Sequence, residues 1–204
     1  MINELFERYP SLKQIKSEIE AADEILLKCF KSGNKLLVCG NGGSCSDSDH
    51  IVGELMKGFL SKRPVSEDTR KKLAQFENGE FLADNLQGAL PAVALTNHSA
   101  LITAFSNDVN PDMIFAQQVF GYAKEGDVLI GITTSGNSKN VVYAAEVAKM
   151  CGMKVIALTG KRENKLDKIA DVVLHAPETE TFKVQELHLP IYHYLCAKVE
   201  KELF

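Results

Sequence analysis

His50 and Glu54 stand four residues apart, a spacing that sets two side chains side by side on one face of a helix. An imidazole beside a carboxylate can move protons to and from a substrate, or supply two ligands to a metal ion. The same spacing also marks solvated helix faces, and it lacks the second histidine of the H-E-x-x-H zinc motif. A second group lies near the C-terminus, where Gln185, His188 and His193 interrupt an otherwise apolar helical stretch. Polar groups without partners cost free energy to bury there. At about 100° per residue, Gln185 and His193 fall about 80° apart and His188 and His193 about 140° apart, so only one of these histidines faces a given site.

Two loops add a different chemistry. Thr133, Thr134, Ser135 and Ser138 bring hydroxyls to the start of a helix through the run Thr133-Thr134-Ser135-Gly136-Asn137-Ser138, where free N–H groups and the helix dipole favour an anion. That describes a phosphate cradle; the alternative is that these residues only cap the helix. A second, glycine-rich loop, Gly40-Asn41-Gly42-Gly43-Ser44, favours the cradle, because paired loops at strand ends share a crevice in an open parallel sheet. Gly40 and Gly42 begin a G-x-G-x-x-G dinucleotide fingerprint, but Cys45 stands where its third glycine would be. Neither loop has the G-K-[ST] ending of a P-loop, which sets nucleotide hydrolysis aside.

The elements that carry these groups follow from the apolar pattern. Lys35–Cys39, Ala92–Leu95, Asp127–Ile132, Val155–Leu158 and Val172–Leu174 are short apolar runs separated by helix-compatible segments, the pattern of strands buried on both faces and linked by crossovers. The fold class is therefore α/β: a doubly wound, five-stranded parallel sheet flanked by helices, in one domain over residues 1–204. An N-terminal helix occupies 1–33 and opens with a capping box at Ser11 and Gln14. Its stripe Leu12, Ile15, Ile19, Ala22, Leu26 and Cys29 is either a core face or a seam between subunits. The helix after the glycine loop runs to Phe59. A charged stretch over 61–90 reads as a helical insertion, with Ser66 capping a short helix and Asn78-Gly79 turning into a second. The last helix spans Thr181–Leu203 and is bent at Pro190.

Composition narrows the partners. The 204 residues carry 23 Lys and Arg against 27 Asp and Glu, a net charge of −4, and no dense basic block is present to neutralise a run of phosphates, so nucleic acid is not the expected ligand. No apolar run approaches a membrane span, and the acidic N-terminal segment does not resemble an export signal. Five scattered cysteines suit a reducing cytoplasm and act as core or loop residues.

Taken together, Cys39-Gly40-Asn41-Gly42-Gly43-Ser44, His50-x-x-x-Glu54, Ser106-Asn107-Asp108, Thr134-Ser135-Gly136-Asn137-Ser138, Leu158-Thr159-Gly160 and Gln185-Glu186-Leu187-His188 closely resemble the phosphoheptose isomerases of the sugar-isomerase (SIS) domain superfamily, nearly end to end. The resemblance implies an SIS, flavodoxin-like fold. The activity it implies is conversion of sedoheptulose 7-phosphate to D-glycero-D-manno-heptose 7-phosphate through an enediol, in bacterial heptose biosynthesis. It makes Glu54 the base and His193 the acid. Asn41, Gly42, Gly43, Ser44, Glu54, Asn107, Asp108, Thr133, Thr134, Ser135, Ser138 and Gln185 would contact the phosphosugar. One zinc ion per subunit would be held by His50, Glu54, Gln185 and His193. The family resemblance also implies a homotetramer with sites at subunit contacts.

Three features depart from the family pattern. Phe182-Lys183 stands where many relatives have Asp-Arg, the 61–90 insertion is longer, and Pro190 falls where relatives continue an unbroken helix. Two rival functions remain: a non-catalytic SIS protein, either a phosphosugar-sensing regulator or an initiator-binding protein, and an isomerase of another phosphosugar. The carboxylate at Glu54 argues for catalysis, since the initiator-binding branch typically lacks it.

Overall fold

The computed structural model describes residues 1–204. Its five strands are β1 (Leu36–Gly40), β2 (Ala92–Ala94), β3 (Val128–Ile132), β4 (Lys154–Gly160) and β5 (Val172–Ala176). All pair in parallel, in the order β2-β1-β3-β4-β5. This is the expected doubly wound sheet, and its direction of growth reverses between β1 and β3, where such sheets leave a ligand crevice at their carboxyl edge.

The N-terminal segment is not one helix over 1–33. It is divided into α1 (Ile2–Arg8), a 3-10 turn (Pro10–Ile15) and α2 (Lys16–Lys31). Pro10 has no N–H to extend the first helix. Gln14 Nε2 donates to the Ser11 carbonyl at 2.8 Å, so these residues brace the 3-10 turn instead of forming a capping box. Every member of the stripe from Leu12 to Cys29 is buried in the chain's own core, which makes it a core face and not a free seam.

After β1 comes α3 (Gly43–Met56), which ends before Phe59 because Lys57 adopts an extended backbone, φ −138° and ψ 175°. The insertion holds α4 (Glu67–Leu73) and α5 (Gly79–Asn85), and Ser66 caps the first by accepting from Thr69 N at 3.2 Å. Between β2 and β3 lie α6 (Ser99–Asp108) and α7 (Ile114–Tyr122), and α8 (Lys139–Met150) joins β3 to β4. The final helix, α9 (Thr181–Leu203), passes through Pro190 without a break. No helix is long and apolar enough to cross a membrane.

Alternate strand residues face opposite sides of the sheet. Leu36, Val38, Val128, Ile130 and Ile156 join α2, α3 and α9 in one core. Leu37, Cys39, Leu129, Val155 and Ala157 join α7 and α8 in the other. Leu37 lies beside Leu129, and Leu129 beside Val155, so the apolar register is continuous across the central strands. At the opposite edge from the crevice, Asp127 ties β3 to β1: it accepts from Lys35 N at 3.0 Å and from Lys124 N at 2.9 Å, and pairs with the Lys35 ammonium.

Candidate active site

Helices α3 and α9 lie side by side and run in the same direction. At their starts, Gly43 meets Gln185 so closely that a Cβ on Gly43 would come within 2.6 Å of Gln185 Nε2. Midway, the His50 ring meets His193 edge-on, centroids 4.9 Å apart, and Tyr192 at 5.5 Å. At the far end, the chain leaving α3 meets Glu200. This pairing brings together the two groups that the sequence singles out separately.

Glu54 Oε1 lies 3.1 Å from His50 Nε2, and Glu54 Oε2 accepts from Lys57 Nζ at 3.1 Å. His50 Nδ1 is 3.0 Å from the Tyr192 hydroxyl, which donates to Asp47 Oδ1 at 3.2 Å. Burial raises the Asp47 carboxyl, against the Tyr192 hydrogen bond and the nearby His50. His193 Nε2 is buried with no hydrogen-bond partner. Burial, and then the neighbouring His50, hold this imidazole below its ordinary value against the pull of Glu54. A neutral imidazole with an open ring nitrogen, next to a carboxylate, is equipped to donate and accept a proton in turn.

Gln185 stands apart from this cluster. It lies eight residues before His193 on α9, about 12 Å along the helix axis, with its amide against Gly43. No group of three or more His, Cys, Asp and Glu side chains is close enough in one chain to hold a metal ion. His188 points elsewhere, as its helical phase predicts. It is fully buried, its Nε2 lies 3.2 Å from the Thr159 carbonyl, and burial lowers its pKa to about 4. It is a neutral core residue tying α9 to β4. Burial likewise pushes the thiols of Cys29, Cys39 and Cys196 up to about 12, leaving them unreactive at neutral pH.

The two loops meet at the carboxyl edge. Asn41 and Asn140 exchange two hydrogen bonds of 2.9 Å across the crevice between β1 and β3. Gly42 turns the first loop with φ +57°, a left-handed conformation that suits glycine. Ser44 is buried rather than open to a ligand, with its carbonyl accepting from Ser48 Oγ at 2.8 Å. In the second loop, Thr133 Oγ1 lies 2.9 Å from Ser138 Oγ and 3.4 Å from Ser135 Oγ. Ser138 occupies the N-cap of α8 yet makes no side-chain capping bond, so its hydroxyl is not committed to the helix. Three hydroxyls thus converge at a helix start, the kind of position whose free N–H groups favour an anion. Thr134 contributes its backbone, accepting from Gly160 N at 3.0 Å.

Asn107 and Asp108 end α6 on an exposed surface, with Asn107 Nδ2 donating to Asp108 Oδ1 at 2.8 Å. No hydrogen bond joins them to the loops or to the His50 cluster. The two loops meet across the crevice as expected, whereas His50, Glu54 and His193 lie further down the body of α3 and α9. A cleft of about 430 Å³, lined by Arg8, Tyr9, Phe59, Leu189 and His193 among others, opens beside His193. A separate polar cleft of about 290 Å³, lined by Thr134, Ser135, Asn137, Lys161 and Arg162 among others, opens beside the cradle. The two share no lining residue.

Sequence reasoning misses a buried pair that ties the end of α3 to α9. Arg63 is 1% and Glu200 2% exposed. Arg63 donates from Nε to Glu200 Oε1 at 2.8 Å, from Nη1 to the Leu55 carbonyl at 2.7 Å, and from Nη2 to the Glu54 carbonyl at 3.2 Å. Glu200 also accepts from the backbone amides of Phe59 and Leu60 at 2.8 Å and of Ser61 at 3.2 Å. Burial alone would raise the Glu200 carboxyl, but these amides and the guanidinium outweigh it and hold it below the usual carboxylate value. The signal that marks Gln185 and His193, a polar residue in an apolar helical stretch, applies equally to Glu200.

The SIS domain model matches residues 2–85 and 76–160. The phosphoheptose isomerase of Citrifermentans bemidjiense is 38% identical over 191 residues, covering 94% of this chain and 87% of that protein. That of Clostridium acetobutylicum is 39% identical over 191 residues, with 94% and 85% covered. The solved structure of a phosphoheptose isomerase from Neisseria gonorrhoeae superposes with a TM-score of 0.76 at 32% identity, covering 98% of this chain and 95% of that one. The fold, the matched domain model and relatives of this identity over almost the whole length agree, and the chain belongs to the SIS domain family, among its phosphoheptose isomerases.

Proposed function

We propose that this protein is an aldose–ketose isomerase that interconverts sedoheptulose 7-phosphate and D-glycero-D-manno-heptose 7-phosphate through an enediol, within bacterial heptose biosynthesis. The observation that carries the reading is the gathering of Glu54, His50 and His193 on the shared face of α3 and α9, with His193 Nε2 buried and open. Moving a carbonyl between adjacent carbons needs a base for the proton on the neighbouring carbon and an acid for the oxygens of the enediol. Glu54 takes the carbon-bound proton in this reading, and His193 serves the oxygens. The hydroxyls of Thr133, Ser135 and Ser138 hold the phosphate, with Thr134, and Asn41, Gly42, Gly43, Asn107, Asp108 and Gln185 flank the sugar, while the buried Ser44 supports the glycine loop from beneath. Holding the phosphate at a remote site orients the reacting carbons, which is the entropic part of catalysis.

The donors also suit a zinc ion. Two imidazoles, a carboxylate and an amide oxygen are zinc-type ligands, and the partnerless Nε2 of His193 is the kind of buried atom such an ion would satisfy. His50 and Glu54, 3.1 Å apart, are the two implied ligands that already meet, and because no three such side chains of one chain come close enough to hold an ion, His193 would complete the set only after a side-chain shift or from a second copy; when bound, the ion would supply Lewis-acid stabilisation of negative charge on the enediol oxygens. Gln185, with its amide against Gly43 and about 12 Å along α9 from His193, is the remaining member of the implied set, supplied by this copy or by a second one. The separate clefts at the cradle and at His193 support the same arrangement: a homotetramer in which the cradle of one copy faces the acid–base groups of another. All five cysteines are unpaired, which suits a cytoplasmic enzyme.

Incubation with sedoheptulose 7-phosphate in deuterated water, with and without added zinc, tests the reaction. Aldose product carrying deuterium on the carbon next to the carbonyl is the expected result. Folded protein that binds the sugar phosphate yet gives neither product nor exchange would overturn the isomerase reading in favour of a sensing protein. Faster turnover of a pentose or hexose phosphate in the same assay would overturn the substrate assignment alone.

A further inference from the structure

We infer that Asn140 is a positioning residue that holds the Asn41 side chain ready for the sugar and ties the glycine loop to the hydroxyl loop across the crevice. Asn41 follows the last residue of β1, and Asn140 is the second residue of α8. Asn41 Nδ2 donates to Asn140 Oδ1 at 2.9 Å, and Asn140 Nδ2 donates to Asn41 Oδ1 at 2.9 Å. The two amides close one hydrogen-bonded ring. Turning both over reproduces the same two bonds, so the ring holds whichever end of each amide is the oxygen.

Nothing else orients Asn41. It stands between Gly40 and Gly42, neighbours with no side chain to lean on it, and its side chain makes no hydrogen bond outside the ring. The ring also leaves a defined remainder. A primary amide has two N–H donors and an oxygen with two lone pairs, and the ring uses one of each on both residues. Asn41 keeps one N–H and one lone pair, each with a fixed direction, and a sugar hydroxyl can accept from the first or donate to the second. Ser138 lies two residues before Asn140, so the same ring fixes the spacing between the hydroxyls of that loop and the first sugar contact. The ligand this suits is an open-chain polyol phosphate, with Asn140 acting on it only through Asn41.

The inference rests on the reading of Asn41 as a sugar contact, and its main test is binding, not turnover. One probe is sorbitol 6-phosphate, which carries hydroxyls and a phosphate but no carbonyl to isomerise. The other is inorganic phosphate, which has no sugar for Asn41 to hold. Both are titrated calorimetrically into the wild type, Asn140→Ala, Asn41→Ala and the double variant. Alanine is a strong helix former, so Asn140→Ala is expected to keep the urea midpoint of the wild type.

Asn140→Ala is expected to weaken sorbitol 6-phosphate about three- to tenfold, the worth of one side chain that must now be ordered on binding, and to leave inorganic phosphate unchanged. The double variant should bind no more weakly than Asn41→Ala, because either removal alone opens the ring. With sedoheptulose 7-phosphate the loss should appear in KM and leave kcat nearly unchanged. An unchanged affinity for sorbitol 6-phosphate in Asn140→Ala, an equal loss for both probes, or losses that add in the double variant would overturn the inference. A wild type that binds neither probe would overturn it together with the phosphate site. Absence of turnover in a protein whose binding follows the expected pattern would overturn the isomerase reading and leave the role of Asn140 standing.

Discussion

Replacing Glu200 by alanine removes the acceptor at the centre of the buried clamp between α3 and α9. Three consequences add up. The Arg63 guanidinium, 1% exposed, keeps its bonds to the Leu55 and Glu54 carbonyls but loses its counter-charge. The amides of Phe59, Leu60 and Ser61 lose their acceptor. A cavity the size of a carboxymethyl group is left beside α9. Breaking a buried ion pair from one side costs about 3–5 kcal/mol, a large part of the roughly 5–15 kcal/mol that holds a domain folded.

With a urea slope of about 2.5 kcal/mol/M for a chain of this size, the unfolding midpoint should fall by about 1.2–2 M. The loss should also depend on pH. The Glu200 carboxyl is held below its ordinary value, so its contribution is fully present above the unfolded carboxylate value of about 4.3 and disappears as the pH falls through the folded value. The variant and the wild type should therefore converge in acid. The double change Arg63→Met with Glu200→Leu, which leaves no charge stranded, should recover most of the lost stability. A loss under about 1 kcal/mol in Glu200→Ala at neutral pH would refute the claim that this pair fixes the end of α3.

The remaining predictions concern the separate parts of the site. Glu54→Gln should lower turnover by about 10²–10⁴-fold, the usual worth of a positioned general base, while calorimetry still shows phosphosugar binding; undiminished turnover would remove Glu54 from the role of base. Ser135→Ala should raise KM with little change in kcat, since the phosphate is remote from the reacting carbons, and an unchanged KM would count against the cradle. His188, whose pKa burial lowers to about 4, stays neutral in the fold, whereas the unfolded chain takes up a proton below about 6.5. Its contribution to stability, present above that value, should be lost between about pH 6.5 and 4 and amount to about 3 kcal/mol; an equal acid slope in His188→Gln would show that the imidazole is not held neutral.

Which parts of this molecule can be read from the sequence depends on how far the deciding contacts reach. The strands are legible because a run such as Leu36–Gly40, buried on both faces, must be apolar throughout, and the two loops because Gly42 and the hydroxyls from Thr133 to Ser138 mark themselves by residue type. The last helix is legible over its full length for the same reason. The N-terminal segment misleads because the apolar stripe from Leu12 runs without interruption from the 3-10 turn into α2, and a stripe reports a buried face without naming what buries it. Helical phase separates His193 from His188 correctly, since phase is a local property.

The spatial plan of the site is not local. His50 and Tyr192 are 142 residues apart in the chain, and Arg63 and Glu200 are 137 apart, and no periodicity within either segment encodes such a pairing. The glycine loop, H-x-x-x-E and the late Gln and His are marked in the sequence by residue type alone, which carries no information on the distances between them. The parallel course of α3 and α9 stretches them along two helices, so that Gln185 stands at the sheet's edge and His193 about 12 Å further down α9. Residues that act on one substrate need not lie together in one chain when the same chain, repeated by symmetry, can bring a second copy of one half to the first copy of the other.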